Sequence, residues 1–89
     1  MYEEEIESKR PILFALSTCP RCQRMKEFLV KHGVDALVVY IDHLSMMDAQ
    51  RHYRFVQDIN PSLSFPTLVV GGLAVIGEDY AGAQEALGL

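Results

Sequence analysis

Residues 11–33 read PILFALSTCPRCQRMKEFLVKHG, and the spacing of apolar residues changes in the middle of this stretch. The continuous apolar run 11–16 is typical of a short strand that is buried on both faces. From residue 20 onward the apolar positions recur every three or four residues, with charged residues between them. This spacing predicts an amphipathic helix whose inward face carries Cys22, Met25 and Leu29.

The segment that follows repeats this alternation of strand and helix. Residues 36–41 are again apolar and β-branched, so we expect a second buried strand, parallel to the first and joined to it by a right-handed crossover. Ser45 suits the N-cap of a second helix, which ends before Asn60 because a proline follows. The residues expected on the inner face of this helix are Met46, Ala49, Tyr53 and Val56.

The last third of the chain predicts a hairpin and a final helix. Gly71 and Gly72 separate the apolar runs 67–70 and 73–76, which is the pattern of two strands joined by a tight turn. Residues 78–87 then form a short helix. The complete order is β-α-β-α-β-β-α, an α/β fold with a mixed four-stranded sheet flanked by helices.

Composition limits the domain organisation and the class of partner. The chain has 89 residues and a net charge of −4, which favours one domain and argues against nucleic acid as the main partner. We expect residues 1–10 to be a flexible acidic segment and 11–89 to be the folded domain, acting as a monomer. No apolar run is long enough to span a membrane and no signal peptide is evident. These features predict a cytoplasmic protein with no membrane partner.

The two cysteines, Cys19 and Cys22, lie where the first strand gives way to the first helix. A helix N-terminus has free backbone N–H groups and the positive end of the helix dipole, and both stabilise a thiolate. Arg21 and Arg24 add positive charge nearby, so we expect a lowered pKa and a nucleophilic role for Cys19. Cys22 lies on the inward face, which suits a buried thiol that resolves a mixed disulfide.

Three other uses of the cysteine pair remain open on the sequence. A structural zinc site needs about four ligands, and the three histidines, which we place at loop and helix surfaces, supply no second close pair. These three histidines are His32, His43 and His52. A metal or iron–sulfur cluster shared between two chains, or a purely structural disulfide, is also compatible with a single C-x-x-C motif. We predict no metal ligand within one chain.

From about residue 11 to residue 89 the sequence resembles the glutaredoxins of the thioredoxin superfamily. The resemblance rests on a strand followed by Cys-Pro-x-Cys and a helix, on Phe65-Pro66-Thr67 at a strand entry, and on the glycine pair of the hairpin. It also rests on Gly77 and the two acidic residues after it. The resemblance implies a thioredoxin-like fold, attack by the first cysteine, and a cis peptide bond before Pro66.

The resemblance also implies a set of binding residues. The residue before the cis-proline offers backbone hydrogen bonds to the substrate, and the loop after Gly77 is similar to the one that holds the γ-glutamyl end of glutathione. In that loop, N–H groups at a helix start take the carboxylate and an acidic side chain takes the ammonium. The candidate contacts to substrate or glutathione are Pro20, Arg21, Phe65, Pro66, Gly77, Glu78 and Asp79. Tyr80 is expected to pack the last helix.

Several positions depart from the pattern common in glutaredoxins. Arg21 replaces an aromatic residue, and Leu16 stands where many members carry a lysine or arginine for the glycyl carboxylate of glutathione. Arg21 itself, Arg51 or Arg54 are alternative sources of that charge. Thr18 stands where thioredoxins usually have tryptophan.

These observations predict a small thiol–disulfide oxidoreductase that reduces protein disulfides or glutathione mixed disulfides through Cys19 and Cys22. The expected electron donor is glutathione as co-substrate, with no tightly bound cofactor. A thioredoxin-like carrier reduced directly by a flavoprotein disulfide reductase is one alternative. A dimeric protein that binds an iron–sulfur cluster with Cys19 and glutathione is the other.

Overall fold

A computed structural model describes residues 10–89, which contain four strands and three α-helices in the predicted order. The elements are β1 (Ile12–Ala15), α1 (Pro20–Lys31), β2 (Leu37–Tyr40), α2 (Met46–Ile59), β3 (Thr67–Val70), β4 (Leu73–Ile76) and α3 (Tyr80–Leu87). A short 3-10 helix, Ile41–His43, follows β2. The prediction for the acidic N-terminal segment falls almost wholly outside the described residues; of that segment only Arg10 is described, and it lies 3.4 Å from Asp35.

The sheet has the strand order β2-β1-β3-β4. Strands β1 and β2 are parallel, whereas β3 is antiparallel to both β1 and β4. The mixed four-stranded sheet flanked by helices is a thioredoxin-like fold, which confirms the predicted fold class. Within the described residues, no helix combines the length and the apolar composition that crossing a bilayer requires.

The core lies around β1, the central strand that leads directly to the cysteine pair. All four residues of β1 are buried because helices cover the sheet and strands flank β1 on both sides. The predicted inward face of α1 is confirmed, since Cys22, Met25 and Leu29 are all buried. Because the strand before the cysteines and the helix after them are both anchored in the core, the loop between them has a fixed position.

The predicted inner face of α2 is wrong at two of its four positions. Met46 is 78 % exposed and Tyr53 is 38 % exposed, whereas His52 is buried. The ring of His52 packs edge-on against Phe14, with 6.1 Å between ring centroids. The buried face of α2 therefore lies about one residue further around the helix than the predicted face. A histidine predicted to lie on the surface belongs to the core.

Two further boundaries and exposures differ from the predictions. β2 is half-buried along its length instead of fully buried, because it lies at the edge of the sheet. The last helix begins at Tyr80 and not at residue 78, since Asp79 has a non-helical backbone and its side chain caps the helix. Gly77 and Glu78 therefore belong to a loop, where they are placed beside the cysteine helix.

Candidate active site

Cys19 is the N-cap of α1, and its sulfur faces the free end of that helix. The backbone N–H of Cys22 donates to Cys19 Sγ at 3.4 Å. The Cys19 N–H in turn donates to the carbonyl of Leu16 at 3.1 Å, which closes the turn after β1. Pro20 occupies the first helical position, where its lack of an N–H costs nothing. The sequence therefore places a half-buried sulfur at a helix N-terminus, as predicted.

The surroundings of Cys19 lower the pKa of its thiol below 9.0. Burial by itself raises this pKa, but hydrogen bonds from the side chain and N–H of Cys22 and from the N–H of Arg21 act in the opposite direction. The charge of the Arg21 guanidinium also favours the thiolate. All of these lowering contributions stabilise the charged sulfur, and together they outweigh its desolvation.

Cys22 has the opposite environment. Its side chain is 1 % exposed and belongs to the core cluster. Burial raises the pKa of Cys22 to about 11, and donation of its S–H to the Cys19 thiolate adds to the shift. The pair therefore consists of one half-buried sulfur whose thiolate form is favoured and one buried sulfur that stays protonated at neutral pH. Both cysteines are reduced in this structure.

We expect the rate of alkylation of Cys19 to rise with pH around a midpoint below 9.0, because the thiolate is the reactive form. Arg21→Gln should move this midpoint upward, since it removes a charge that favours the thiolate. The measurement is the pH dependence of iodoacetamide labelling, with mass spectrometry to identify the labelled cysteine. Lys31→Gln, at the far end of α1, is the control and should leave the midpoint unchanged. A midpoint at or above 9.0 in the unmodified chain contradicts the prediction.

The peptide bond between Phe65 and Pro66 is cis, as the resemblance implied. The Phe65 side chain is only 7 % exposed and packs against Tyr53, with 6.1 Å between ring centroids. Its phenyl ring therefore belongs to the core and does not face a substrate. What Phe65 can offer a substrate at this position is its backbone.

A buried network around Asn60 holds the loop that carries Phe65 and Pro66. Asn60 is 1 % exposed. Its amide nitrogen donates to the Ser64 carbonyl and to Thr67 Oγ1, both at 3.0 Å, and Ser62 Oγ donates to its amide oxygen at 2.5 Å. From the sequence, Asn60 was predicted only to mark the end of the second helix. A polar residue next to proline is a common loop signal, so nothing in the pattern indicated this positioning role.

A second contact fixes the loop immediately before Cys19. Asp42, after β2, accepts a hydrogen bond from the Ser17 N–H at 2.9 Å and another from the Ser17 hydroxyl. These bonds lower the pKa of Asp42, the hydroxyl having the larger effect. Because β1 and β2 are parallel, their carboxyl ends meet at one edge of the sheet. This is why two residues that are 25 positions apart hold the same loop.

The loop Gly77–Asp79 joins the cysteine helix to the proline loop. The Gly77 N–H donates to the Pro66 carbonyl at 2.8 Å, and the positive φ of Gly77, 75°, is one that glycine adopts readily. Glu78 accepts two hydrogen bonds from Arg24 of α1, and Asp79 accepts one from the Gly82 N–H. Arg24 was predicted only to add positive charge, and its partner lies 54 residues away.

The remaining predicted residues lie at the surface of the helices. Pro20 and Arg21 are exposed in the first turn of α1. Arg51 pairs with Asp48 of its own helix at 2.9 Å. Residues 10–89 contain no group of three or more His, Cys, Asp or Glu side chains arranged to hold a metal ion. Cys19 and Cys22, three positions apart at the start of α1, are placed so that they can form a small disulfide and exchange it with a substrate.

Comparison with known proteins agrees with this chemistry. The family model described as Glutaredoxin matches residues 12–75. A glutaredoxin structure from Archaeoglobus fulgidus is 32 % identical, with a TM-score of 0.86, over 93 % of this chain and 91 % of that one. The methanoredoxin of Methanosarcina acetivorans is 34 % identical, with a TM-score of 0.85, over 89 % of this chain and 84 % of that one.

More distant structures share the fold alone. A buckwheat glutaredoxin in complex with glutathione is 19 % identical, with a TM-score of 0.75, over 97 % of this chain and 76 % of that one. No curated protein sequence matches the chain.

Proposed function

Because the chain belongs to the glutaredoxin family, we propose that it reduces protein disulfides and mixed disulfides of small thiols by dithiol exchange at Cys19 and Cys22. The observation that carries this proposal is the contrast between the two sulfurs. The pKa of Cys19 is lowered at the helix N-terminus, whereas burial raises the pKa of Cys22 to about 11. Cys19 therefore suits the role of the attacking nucleophile, and Cys22 suits the role of the resolving thiol.

In the first step, the Cys19 thiolate attacks one sulfur of the substrate disulfide. A bond forms between Cys19 Sγ and that sulfur, the substrate S–S bond breaks, and the departing thiolate takes a proton from solvent. The product is a mixed disulfide between Cys19 and the substrate. Arg21 and the helix N-terminus favour the starting thiolate, so at any given pH more of Cys19 is in the attacking form than for an unperturbed thiol.

In the second step, Cys22 loses its proton and attacks Cys19 Sγ. A bond forms between the two cysteine sulfurs, the bond to the substrate breaks, and the substrate leaves as its second thiol after protonation. Once Cys19 carries no charge, the Cys22 thiolate no longer faces a neighbouring anion, which removes one cause of its raised pKa. When the exchange runs in reverse and the bond between Cys19 and Cys22 breaks, Cys19 is also a good leaving sulfur, because thiols with a low pKa leave faster.

The backbone before the cis-proline suits an extended substrate. Phe65 lies directly before the cis-proline, and its side chain is turned into the core, which leaves the backbone to form strand-like hydrogen bonds with a substrate peptide. The Asn60 network and the Gly77 hydrogen bond hold this segment in place. The exposed Arg21 adds a positive charge for an anionic group near the substrate sulfur.

The cycle is completed when a donor reduces the Cys19–Cys22 disulfide. We propose glutathione, of which two molecules would supply two electrons and leave as glutathione disulfide, or a flavoprotein disulfide reductase. The proposed site of action is the cytoplasm, where donors of both kinds keep thiols reduced. The dimeric iron–sulfur protein stays an alternative hypothesis, and a visible absorption band in anaerobically purified protein is its test.

We expect the protein to accelerate the reduction of insulin disulfides by dithiothreitol, a donor that needs no recognition site. Parallel assays replace dithiothreitol with glutathione and glutathione reductase, or with thioredoxin reductase, and follow NADPH oxidation. Turnover in one arm identifies the donor. Insulin reduction at the uncatalysed rate with dithiothreitol contradicts the proposed function.

A further inference from the structure

The carboxylate of Glu78 is bound on both oxygens by the chain itself. Arg24 Nε donates to Oε2 at 2.8 Å and Arg24 Nη2 donates to Oε1 at 2.7 Å. The Tyr80 hydroxyl donates to Oε2 at 2.7 Å. A guanidinium that holds a carboxylate through two parallel bonds is the stronger and more directional form of ion pair. The negative charge of Glu78 is therefore balanced before any substrate arrives.

Side-chain packing on α1 brings both donors to Glu78. Arg24 and Phe28 are four residues apart and so lie on the same face of the helix. The Tyr80 ring packs against Phe28, with 5.0 Å between ring centroids, and this contact directs the Tyr80 hydroxyl to the carboxylate that Arg24 holds. The hydrogen bond from Arg24, followed by the one from Tyr80, lowers the pKa of Glu78 to about 2, so Glu78 stays ionised and paired at neutral pH.

The neighbouring acid is also engaged, by the start of α3. Asp79 Oδ1 accepts the Gly82 N–H at 2.9 Å, and the Asp79 carbonyl accepts the Ala83 N–H, also at 2.9 Å. Two of the N–H groups at this helix start therefore already have partners within the chain. Like Glu78, Asp79 has a structural role in the loop that follows β4.

This loop bears on substrate binding because it contacts the proline loop. The Gly77 N–H donates to the Pro66 carbonyl at 2.8 Å, so Glu78 lies one residue from a direct contact with the segment that carries the cis-proline. The field of Arg21, which favours the Cys19 thiolate, also acts on Glu78. A charge left unbalanced on Glu78 or Arg24 would therefore be felt by a group bound near Cys19.

We propose that Arg24 is a specificity-determining residue: by pairing with Glu78 it neutralises a carboxylate that would otherwise attract a cationic substrate, so that an ammonium group on a small disulfide brings no advantage at this site. This inference rests on the proposed function and names its class of small substrate. An ammonium group, such as that of a γ-glutamyl thiol, would have to displace a guanidinium that makes two hydrogen bonds to Glu78. Recognition then depends on the sulfur and the adjoining backbone.

The test compares three symmetrical disulfides of similar size: cystamine, which is cationic, hydroxyethyl disulfide, which is neutral, and dithiodipropionate, which is anionic. Dithiothreitol drives the reaction, and kcat/KM is measured for each substrate. Arg24→Gln leaves the Glu78 carboxylate without its guanidinium partner. The ratio of kcat/KM for the cationic disulfide to that for the neutral one should then rise about fivefold, the factor expected for unit charges about 4 Å apart in water. Glu78→Gln leaves the Arg24 guanidinium unpaired, and kcat/KM for the anionic disulfide should then rise relative to that for the neutral one.

The double variant and a matched control complete the design. Arg24→Gln combined with Glu78→Gln removes both charges and should return the substrate ratios to those of the unmodified chain. Lys31→Gln removes one positive charge from the far end of the same helix, about 18 Å along its axis from Cys19, and should leave the ratios unchanged. Circular dichroism of each variant verifies that it is folded.

The possible results separate this inference from the proposed function. If the unmodified chain reduces neither insulin nor any of the three disulfides, the proposed function fails; if it reduces insulin but none of the three, this inference alone is overturned. If turnover is normal but the ratios stay the same in both single variants, Arg24 does not set specificity and the inference alone is overturned. A strong preference for the cationic disulfide in the unmodified chain also overturns it, because Glu78 would then be accessible to ammonium.

Discussion

We expect Cys19→Ser to abolish turnover of both protein disulfides and small mixed disulfides. The substitution replaces the only exchange sulfur with a lowered pKa by a hydroxyl that is un-ionised at neutral pH and does not attack disulfides. The loss should be on the order of a thousandfold or more, the scale seen when a covalent nucleophile is removed. The measurement is insulin reduction by dithiothreitol, together with reduction of hydroxyethyl disulfide.

The fold should survive this substitution, which makes the result informative. Cys19 is the N-cap of α1, and serine is among the preferred N-cap residues because its hydroxyl accepts the same type of N–H bond. Thermal unfolding should therefore show a midpoint at or above that of the unmodified chain. Thr18→Ser, at the position immediately before Cys19, is a matched control that keeps both sulfurs. Substantial turnover in a folded Cys19→Ser protein rules out the proposed chemistry.

We expect Cys22→Ser to stop the reduction of protein disulfides at the mixed disulfide. Without the second sulfur, only an external thiol can release the substrate from Cys19. Well-placed intramolecular groups act at effective concentrations of about 10⁵ M or more, which is about 10⁸ times a millimolar external donor, so resolution by that donor should be slower by several orders of magnitude. Mass spectrometry should detect an insulin chain covalently bound to Cys19.

The same variant identifies the resolving thiol for small substrates. If Cys22→Ser still reduces glutathione mixed disulfides with glutathione as donor, glutathione can act as resolver. If both activities are lost, the physiological donor acts on the Cys19–Cys22 disulfide. Labelling of Cys19 by iodoacetamide should persist in either case. Unchanged insulin reduction with no trapped adduct contradicts the resolving role of Cys22, which its burial and raised pKa support.

Local sequence patterns were sufficient to predict the frame that carries the cysteines. The change of period after residue 16, the glycine pair of the hairpin and the proline after Asn60 are short-range signals, and each corresponds to an observed boundary. The division of the two sulfurs into half-buried and buried also follows from helical spacing alone. The edge position of β2 was not predictable in this way, because strand order depends on long-range pairing.

The parts of the site that were not predicted depend on contacts between distant residues. Arg24 and Glu78 are 54 positions apart, and tertiary contacts such as the packing of Tyr80 on Phe28 bring them together. Ser17 and Asp42 meet because two parallel strands end at the same edge of the sheet. Asn60 looked like a loop residue, since the burial that gives it a positioning role comes from the surrounding fold. Resemblance to a family suggested Glu78 as a ligand contact but gave no indication that it was already paired.

The short edges of the sheet have a consequence for contacts with unfolded segments of other chains. β2 and β4 are the outer strands, and each has four residues, a length of about 13 Å. A sheet edge is a template for strand addition by another chain, and a short one provides few hydrogen bonds. An unfolded segment that meets one of these edges therefore gains few hydrogen bonds by staying there. The shortness of the edge strands limits strand addition by other chains, including any protein substrate of the proposed reaction.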